Sequence, residues 1–458
     1  MSTQESNPGV EALYVALQER FQETKRKPLY IGTVPLEPNA SKLFFSKEGV
    51  SNAGVVDFSQ PTEDQLKALA ASCQPATFGL GQQDVLDESY RKAGKMDAGN
   101  FAAQFTPFSS GITDRVGEFL LEAPSTPQSL RFELYKLNIY GPGSFFKAHV
   151  DTPRSDKMIA SLVIVFPTVH DGGSLLLRHE EQEWAFDSPK LVYEDDKPRV
   201  AFAAFYSDIE HEVALVNSGY RVTLTYNIYS EPAASPLTTI SFGLDRDAPL
   251  RETLSALLQH PDFLPDGGYI GFGLSHKYPV NPSLQLSKLS GNLKGTDADI
   301  YRVCRSLSLD TALQVLYCRR KQQTEAYTLI NRFVEYRAGY GNIDTDRSCI
   351  TVSLSRMSKG RLVVHQEGAE STEEEEWRQQ EWQEEARSKY IPQLMVWVGR
   401  SLLDRRNALK TAYVAQGNEA SLAYVYGQLC LAVHVVPFKE RVPKVQVETP
   451  ETEPCGDS

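Results

Sequence analysis

The chain has few cysteines and no cysteine motif. Six cysteines are spread over 458 residues, with no Cys-x-x-Cys and no spacing typical of metal ligands: Cys73, Cys304, Cys318, Cys349, Cys430 and Cys455. Scattered cysteines of this kind are typical of reduced, mostly buried thiols. We therefore expect a cytoplasmic or nuclear protein, not a secreted one.

The sequence also lacks a targeting segment, a membrane span and an excess of positive charge. Residues 1–8 are polar and do not show the basic and then apolar pattern of a signal peptide. No apolar run approaches the length of a transmembrane helix. The net charge of −12 argues against sequence-independent nucleic-acid binding, which depends on neutralising phosphates. We expect neither a membrane nor a nucleic acid as a partner.

The length predicts more than one domain, since 458 residues exceed a single typical core. Hydrophobic residues make up 41% of the chain and charged residues 23%, as in ordinary globular proteins. Residues 1–125 are expected to form an α-rich support region around a catalytic barrel. Its helical patterns cover residues 1–27, 62–72, 83–94 and 111–122, the second beginning with a capping threonine, Thr62.

From residue 131 the hydrophobic pattern has a period of two. One face carries Lys136, Asn138 and Tyr140, and the other carries Tyr135, Leu137 and Ile139. In a cup-shaped barrel the polar face can line a ligand cavity while the other packs beneath helices. Further short strands are predicted at 157–166, 173–178, 182–187, 199–205, 210–216 and 220–229. Their spacing predicts a double-stranded β-helix, or jelly roll, over residues 126–230.

A segment rich in Pro, Ala and Ser, residues 230–236, marks a domain boundary. Residues 231–441 are predicted to form a C-terminal α+β region of unknown role, with helices at 247–259, 297–307 and 400–410. The Glu-rich run at 373–385 indicates an exposed segment, with an interaction tail as the alternative. Residues 442–458 are polar and are predicted to be disordered. The fold class is thus mainly β with flanking helices.

His149 and Asp151 lie two residues apart on a predicted strand, so their side chains project from the same face. An imidazole and a carboxylate in this arrangement form two members of a 2-His-1-carboxylate triad, whose open positions suit non-haem Fe(II). His211 is the candidate for the third ligand. The competing histidines, His170 and His179, lie too near His149 to leave room for the intervening strands.

Arg221 follows His211 by ten residues and begins another strand-like run. A planar, permanently charged guanidinium is the group that a distal carboxylate of a chelating co-substrate requires. Thr223 lies on the same face and can add a hydroxyl hydrogen bond. Inward-facing groups of this kind need a partner when they are buried.

The order His-x-Asp, His and Arg resembles the Fe(II)- and 2-oxoglutarate-dependent dioxygenases, most nearly the prolyl 4-hydroxylase-like branch. The resemblance covers roughly residues 126 to 230 and includes Tyr140-Gly141-Pro142-Gly143 and Gly172-Gly173-Ser174-Leu175. It implies Fe(II) bound by His149, Asp151 and His211, with O2 and 2-oxoglutarate as co-substrates and ascorbate as a reductant. It also implies that 2-oxoglutarate is bound by Tyr140, Arg221 and Thr223.

The resemblance further implies a hydroxylase that converts 2-oxoglutarate and O2 to succinate and CO2. The carboxylate at Asp151 agrees with this, because halogenases of the superfamily have a small residue there. A prolyl or other side chain of a cytosolic or nuclear protein is one expected target, with the C-terminal half as a docking module. The alternatives are a small-molecule hydroxylase and an inactive barrel that binds a partner protein. Nucleic-acid demethylation is disfavoured by the net charge.

Charged residues around the ligands are further candidates. Asp208 and Glu210 flank His211 and could orient its ring, or could belong to a solvated loop. Four basic residues flank the predicted site and are candidates for recognising an acidic or peptide substrate, or are solvated: Lys147, Arg154, Arg178 and Arg199.

Overall fold

The computed structural model describes residues 9–46, 53–80, 83–120, 128–151, 154–155, 157–194, 197–232, 247–278, 280–321, 324–334, 360–366, 393–399, 407–415 and 421–441. The predicted Glu-rich run and the predicted C-terminal tail lie outside these ranges. In the described part of the chain, no helix is long and apolar enough to cross a membrane.

The described α-helices are α1 (Val10–Glu23), α2 (Glu63–Ser72), α3 (Ile112–Leu120), α4 (Ala248–Gln259), α5 (Leu286–Leu289), α6 (Gly295–Ser306) and α7 (Phe438–Arg441). Helix α2 begins with the predicted cap: the Gln65 amide donates to Thr62 Oγ1, and the Thr62 amide donates to Gln65 Oε1. The helices predicted at 111–122, 247–259 and 297–307 are confirmed as α3, α4 and α6. Each observed end lies within two residues of the predicted one.

The strands before the His-x-Asp motif are β1 (Leu29–Pro35), β2 (Lys42–Ser46), β3 (Ala53–Asp57), β4 (Gln74–Pro75), β5 (Phe78–Leu80), β6 (Gln83–Val85), β7 (Arg91–Lys92), β8 (Gly94–Asp97), β9 (Phe101–Ala103) and β10 (Gln128–Tyr140). Those of the remaining barrel are β11 (Phe145–His149), β12 (Met158–Val165), β13 (His170–Gly172), β14 (Leu175–His179), β15 (Gln182–Phe186), β16 (Tyr193–Glu194), β17 (Lys197–Tyr206), β18 (Glu210–Val213), β19 (Val216–Gly219) and β20 (Arg221–Pro232). The C-terminal strands are β21 (Gly268–Gly273), β22 (Asp310–Lys321), β23 (Thr324–Ile330), β24 (Arg361–Gln366), β25 (Gln393–Val398), β26 (Ala408–Ala415) and β27 (Ser421–Val435).

Two antiparallel sheets form the barrel. The larger has the order β1-β17-β12-β20-β10-β8-β4, with β16 added to β17, and the smaller has the order β15-β14-β18-β11-β7. Residues from both sheets share one hydrophobic core, for example Leu162 and Leu224 from the larger and Leu177 and Val213 from the smaller. This is the jelly-roll arrangement, and the predicted fold class is confirmed.

The N-terminal region differs from the prediction in two respects. Strands β1, β4 and β8 join the larger barrel sheet, so this region is not simply an α-rich wrap. Helix α1 packs into the C-terminal core through Val10, Leu17 and Phe21, and Tyr14 donates a hydrogen bond to the Trp397 carbonyl at 2.9 Å. The N-terminal helix therefore buries its apolar stripe against the C-terminal half.

The helix predicted at residues 83–94 is wrong. The segment forms β6 and β7, separated by a turn at Asp87. There the Ser89 amide donates to Asp87 Oδ1 at 2.8 Å, and the Tyr90 amide donates to the Asp87 carbonyl at 3.0 Å. An aspartate that bonds the backbone two residues on favours a turn over a continuing helix.

The C-terminal half forms a mixed seven-stranded sheet in the order β21-β25-β24-β23-β22-β27-β26. Strand β25 pairs in parallel with β21 and β24, and the other described pairs are antiparallel. Helices α4, α5 and α6 contribute Leu254, Leu286 and Val303 to its core. The helix predicted at 400–410 is wrong at its end, because residues 408–410 belong to β26; residues 400–406 lie outside the described ranges.

Candidate active site

The barrel brings the three predicted metal ligands together. Strands β11 and β18 pair so that His149 lies opposite His211, with ring centroids 4.1 Å apart. Asp151 follows β11 directly, and its Oδ1 lies 3.7 Å from His211 Nε2. One ligand atom from each residue lies within 4.8 Å of the other two. This donor set is the 2-His-1-carboxylate arrangement that suits Fe(II).

Backbone carbonyls orient both imidazoles. His149 Nδ1 donates to the Lys147 carbonyl at 2.8 Å, and His211 Nδ1 donates to the Ile209 carbonyl at 3.0 Å. Because a carbonyl only accepts, each Nδ1 carries a proton, and Nε2 keeps its lone pair when the ring is neutral. Burial, with a contribution from His211, lowers the pKa of His149, which favours the neutral ring. This is the protonation state that a metal-ligating histidine needs.

The suggestion that Asp208 or Glu210 orients His211 is wrong, since the ring bonds the Ile209 carbonyl instead. Asp208 accepts from Lys294 Nζ at 2.9 Å, and Glu210 pairs with Arg178 at 3.7 Å. Both carboxylates are therefore committed to partners other than the imidazole.

Three further residues support the ligands and were missed by sequence reasoning. Ser161 Oγ donates to Asp151 Oδ2 at 2.5 Å from strand β12. Phe146 stacks on His149 with centroids 3.6 Å apart, and Phe205 lies 4.8 Å from the His211 ring. A signal for Ser161 existed, because it is a hydroxyl in the otherwise apolar strand Met158–Val165. A buried hydroxyl needs a hydrogen-bond partner.

The competing histidines do not join the triad. His170 Nδ1 donates to the Thr168 carbonyl at 2.7 Å, and its Nε2 lies 3.3 Å from Ser188 Oγ. His179 stacks on His276 of the C-terminal half, with centroids 5.1 Å apart. These contacts agree with the prediction that His211, and not His170 or His179, is the third ligand.

Arg221 is buried inside the barrel with a fractional exposure of 1%. It lies opposite Tyr140 in the pairing of β10 with β20, and its guanidinium carbon is 5.6 Å from the Tyr140 ring centroid. Within the described part of the chain, its Nε and Nη2 have no hydrogen-bond partner. Burial lowers the pKa of Arg221 to about 10. A buried, incompletely bonded cation is costly, so this donor set fits a carboxylate ligand such as that of 2-oxoglutarate.

Gly173 provides the space that Arg221 occupies. An added Cβ at this residue would lie 3.0 Å from Arg221 Cδ and 2.8 Å from Val216 Cγ2, and φ is +71°. Both the contact and the left-handed backbone favour glycine here. Gly173, part of the motif Gly172-Gly173-Ser174-Leu175, thus lies beside the guanidinium.

A polar row continues from Arg221 along the inner face of the larger sheet. Thr223 lies opposite Asn138, and its Oγ1 donates to the Asn138 carbonyl at 3.4 Å. The side-chain Nδ2 of Asn138 donates to Thr225 Oγ1 at 3.2 Å, and its Oδ1 accepts from Arg91 Nη2 at 2.8 Å. Sequence reasoning missed Arg91. The roles of Tyr140 and Thr223 in binding 2-oxoglutarate stay predictions.

Two of the four flanking basic residues are engaged elsewhere. Arg178 pairs with Glu183 at 2.6 Å and with Glu212 at 2.9 Å, and Arg199 Nε donates to Thr33 at 3.0 Å. By contrast, Arg154 and Lys147 are exposed at the surface. The charge of Arg178 is thus already offset by carboxylates.

A jelly roll that carries this triad defines a non-haem iron oxygenase. Residues 135–229 match the family model described as the 2OG-Fe(II) oxygenase superfamily. The chain therefore contains a domain of this superfamily and is a 2-oxoglutarate-dependent dioxygenase, with Fe(II), 2-oxoglutarate and O2 as its cofactors and co-substrates.

Similar solved structures include prolyl hydroxylases. A prolyl-4-hydroxylase from Pseudomonas putida is 17% identical over 46% of this chain and 98% of its own, with a TM-score of 0.25. A prolyl hydroxylase from Trichoplax adhaerens, in complex with a hypoxia inducible factor peptide, is 16% identical over 48% and 90%, with a TM-score of 0.27. An oxidoreductase of the 2OG-Fe(II) oxygenase family from Burkholderia pseudomallei is 19% identical over 38% and 81%, with a TM-score of 0.22. No curated protein matches the chain.

Proposed function

We propose that the protein hydroxylates a substrate at an Fe(II) ion held by His149, Asp151 and His211, while Arg221 binds the distal carboxylate of 2-oxoglutarate. The observation that carries the proposal is the Arg221 guanidinium, which is buried in the barrel and has two nitrogens without partners among the residues that the structure describes. Such a group is stabilised when an anion binds beside it.

Fe(II) bound there would supply open positions for a chelating keto acid and for O2. The protein's own residues prepare this chemistry. The Lys147 and Ile209 carbonyls hold both Nε2 atoms toward the metal position, and the Ser161 hydroxyl holds Asp151. We assign Thr223 and Tyr140 to the same co-substrate cavity as Arg221, and ascorbate to the role of reductant.

We propose a prolyl residue of a cytoplasmic or nuclear protein as the target. The ligand set reaches solvent, since the Asp151 side chain is 29% exposed and the adjacent Val150 is 38% exposed. A segment of another chain can approach such an opening, whereas a small metabolite is usually enclosed by its site. A small-molecule hydroxylase is the second candidate.

The proposal is tested by succinate formation from 2-oxoglutarate in the presence of Fe(II). We expect turnover by the wild-type protein and loss of both Fe(II) binding and turnover in His149→Ala. Arg221→Ala should raise the KM for 2-oxoglutarate at least about 100-fold, because a charge-assisted bidentate pair contributes roughly 3 kcal/mol.

Arg178→Ala serves as the matched control, because this arginine pairs with surface glutamates, and it should retain turnover within about twofold. Wild-type protein that binds Fe(II) and never consumes 2-oxoglutarate would support an inactive, partner-binding barrel instead. If Arg221→Ala consumed 2-oxoglutarate as well as the wild type does, Arg221 would not be the residue that binds the distal carboxylate.

A further inference from the structure

Two more buried cations lie inside the barrel, and the proposed function uses neither. Lys136 is 8% exposed and Arg91 is 6% exposed. Lys136 pairs with Thr225 across β10 and β20, on the same face as the Asn138–Thr223 and Tyr140–Arg221 pairs. It therefore lies farther along the row that begins with Arg221.

Lys136 has no carboxylate in ion-pair contact among the described residues, and its ammonium nitrogen lies 4.0 Å from the Tyr135 ring centroid. Arg154 approaches the same ring, with its guanidinium carbon 4.7 Å from the centroid, and donates a hydrogen bond to the Tyr135 hydroxyl. Ser161, which bonds the metal ligand Asp151, pairs with Asn227, only two residues along β20 from Thr225, the partner of Lys136. This register places Lys136 between Arg221 and the metal ligands along the larger sheet.

The expected packing of Tyr135 beneath the helices is wrong. The pairing of β10 with β20 shifts register between Leu134 and Lys136, which leaves Tyr135 as the extra residue of a β-bulge. The bulge lets the ring contact Lys136 and Arg154.

Arg91 extends the same positive region. Its Nη1 donates to the Thr77 carbonyl at 2.7 Å, its Nη2 donates to Asn138, and its Nε has no partner. Its guanidinium carbon lies 4.3 Å from the centroid of Phe146, the ring that stacks on His149. Thus Arg91 connects the polar row on β10 with the metal ligands without being neutralised by a carboxylate.

The charges do not balance when the cofactors are added. The two carboxylates of 2-oxoglutarate offset the two charges of Fe(II), and Asp151 offsets one of the three buried cations Arg91, Lys136 and Arg221. Two positive charges therefore remain on these three buried side chains, because Asp97, which lies opposite Lys136 on β8, is exposed to solvent. Burial, with Arg91, Lys95 and Arg154 adding to it and Asp97 opposing, lowers the pKa of Lys136 to about 8. A further anion in the site would stabilise the remaining cations.

We propose that the substrate carries a carboxylate or another anionic group that binds Lys136 and Arg154 beside Tyr135 while its reacting C–H bond faces the metal. This inference rests on the proposed function, whose substrate class it names. The anionic group comes either from an acidic side chain next to the target residue in a peptide or from the carboxylate of a free acid, and both present the same chemistry to the two cations.

The test uses two pairs of matched probes in the succinate assay. The first pair consists of proline-containing heptapeptide libraries with either Glu or Gln at each position flanking proline. The second pair is free L-proline and L-prolinamide. We expect the acidic member of one pair to stimulate succinate formation with a kcat/KM at least about 10-fold above that of its amide, as for one charge-assisted hydrogen bond. The pair that responds identifies the source of the anion.

Lys136→Met and Arg154→Met should each reduce that preference to less than about threefold, and Lys136→Arg should retain part of it. Lys42→Met, which removes an exposed lysine from β2, should keep the full preference. Thermal unfolding of each variant reports whether it is folded; replacement of the buried, unpaired Lys136 charge by a methionine is expected to maintain or raise Tm.

Three results would overturn the inference while leaving the proposed function intact. The first is wild-type turnover with no preference for acidic probes, or with no response to any of them. The second is an unchanged preference in both variants. The third is a raised KM for 2-oxoglutarate in Lys136→Met with the preference intact, which would assign Lys136 to the co-substrate. Failure of the wild-type protein to bind or consume 2-oxoglutarate would instead remove the proposed function, and the inference with it.

Discussion

At the scale of single residues, the barrel interior contains charged groups that the folded chain alone does not satisfy. Among the described residues, Arg221 lacks partners for two nitrogens, and Lys136 makes no ion pair, although the exposed Asp97 lies opposite it on β8. Buried charges of this kind reduce stability unless a ligand pairs with them. We therefore expect these unpaired charges to lower the free energy of unfolding of the ligand-free protein.

The pH dependence of stability tests the burial of Lys136. Its pKa is about 8 in the folded protein, against 10.5 for an ordinary lysine, so the unfolded chain binds the proton more tightly. Stability must then rise with pH wherever the unfolded state holds more protons. Relative to Lys136→Met, the ligand-free wild type should gain roughly 3 kcal/mol in free energy of unfolding between about pH 8 and 10.5.

The measurement is chemical denaturation of the wild type and of Lys136→Met over this pH range. The difference between their free energies of unfolding reports the contribution of residue 136. Below about pH 8 the difference should be constant, because the lysine is protonated in both states. A difference that stays flat up to pH 10.5 would mean that the lysine is solvated in the folded protein.

At the scale of elements, the connection between β13 and β14 packs against Arg221, the residue proposed to bind 2-oxoglutarate. Gly172 and Gly173 both have positive φ, and Gly173 lies against Arg221 Cδ and Val216. The turn thus lets the smaller sheet approach the arginine that begins β20. A side chain at this position would displace the guanidinium or strain the backbone.

Gly173→Ala is predicted to raise the KM for 2-oxoglutarate about 10-fold or more, with a smaller change in kcat, because it moves the carboxylate partner and not the metal ligands. Steady-state kinetics of succinate formation measures both constants. Gly117→Ala is the control: nothing lies within 4 Å of its added Cβ, and it sits inside helix α3. That variant should leave the kinetics unchanged and stabilise the protein by up to about 1 kcal/mol. Equal kinetics for both variants would show that Gly173 does not position Arg221.

At the scale of the whole molecule, the C-terminal half holds the loop that precedes His211. Asp208, 5% exposed, accepts hydrogen bonds from Lys294 Nζ at 2.9 Å and from the Lys277 amide at 2.9 Å, and its Oδ2 lies 3.1 Å from His276 Nδ1. Burial alone would raise the pKa of Asp208, but His276 and Lys294 lower it below the usual range. The carbonyl of the next residue, Ile209, orients the iron ligand. The C-terminal contacts therefore reach within one residue of the metal site.

Lys294→Met should consequently weaken Fe(II) binding at least about 10-fold as well as destabilise the fold by roughly 3–5 kcal/mol, because it leaves a buried carboxylate with one charged partner fewer. Titration calorimetry with Fe(II) under anaerobic conditions and denaturation measure the two effects. The control is Lys288→Met, an exposed lysine on α5. The double variant Asp208→Asn with Lys294→Met should recover part of the stability. Normal Fe(II) affinity in a destabilised Lys294→Met would limit the cluster to a purely structural role.

Part of the candidate site could be predicted from the sequence because it depends on local spacing. The two-residue spacing of His149 and Asp151 predicted that they act together, although strand β11 ends at His149, and the period of strand β10 aligns Lys136, Asn138 and Tyr140. The short, evenly spaced apolar runs indicated the jelly roll, whose strands form close to their predicted positions. These features are properties of consecutive residues, which backbone geometry constrains directly.

The remainder depended on contacts between distant segments. No local pattern could show that Ser161 bonds Asp151, that helix α1 packs on the C-terminal sheet, or that Asp208 pairs with Lys294. The bulge at Tyr135 reversed the expected packing of that ring, since strand register is set by the partner strand as well as by alternation. The sequence by itself indicated which side chains could bind the metal and the keto acid: two-residue spacing selected His149 and Asp151, and the order of motifs shared with a known family selected His211 and Arg221. Only the tertiary structure decided which charges remain unpaired inside the barrel, because pairing is a property of distance in space.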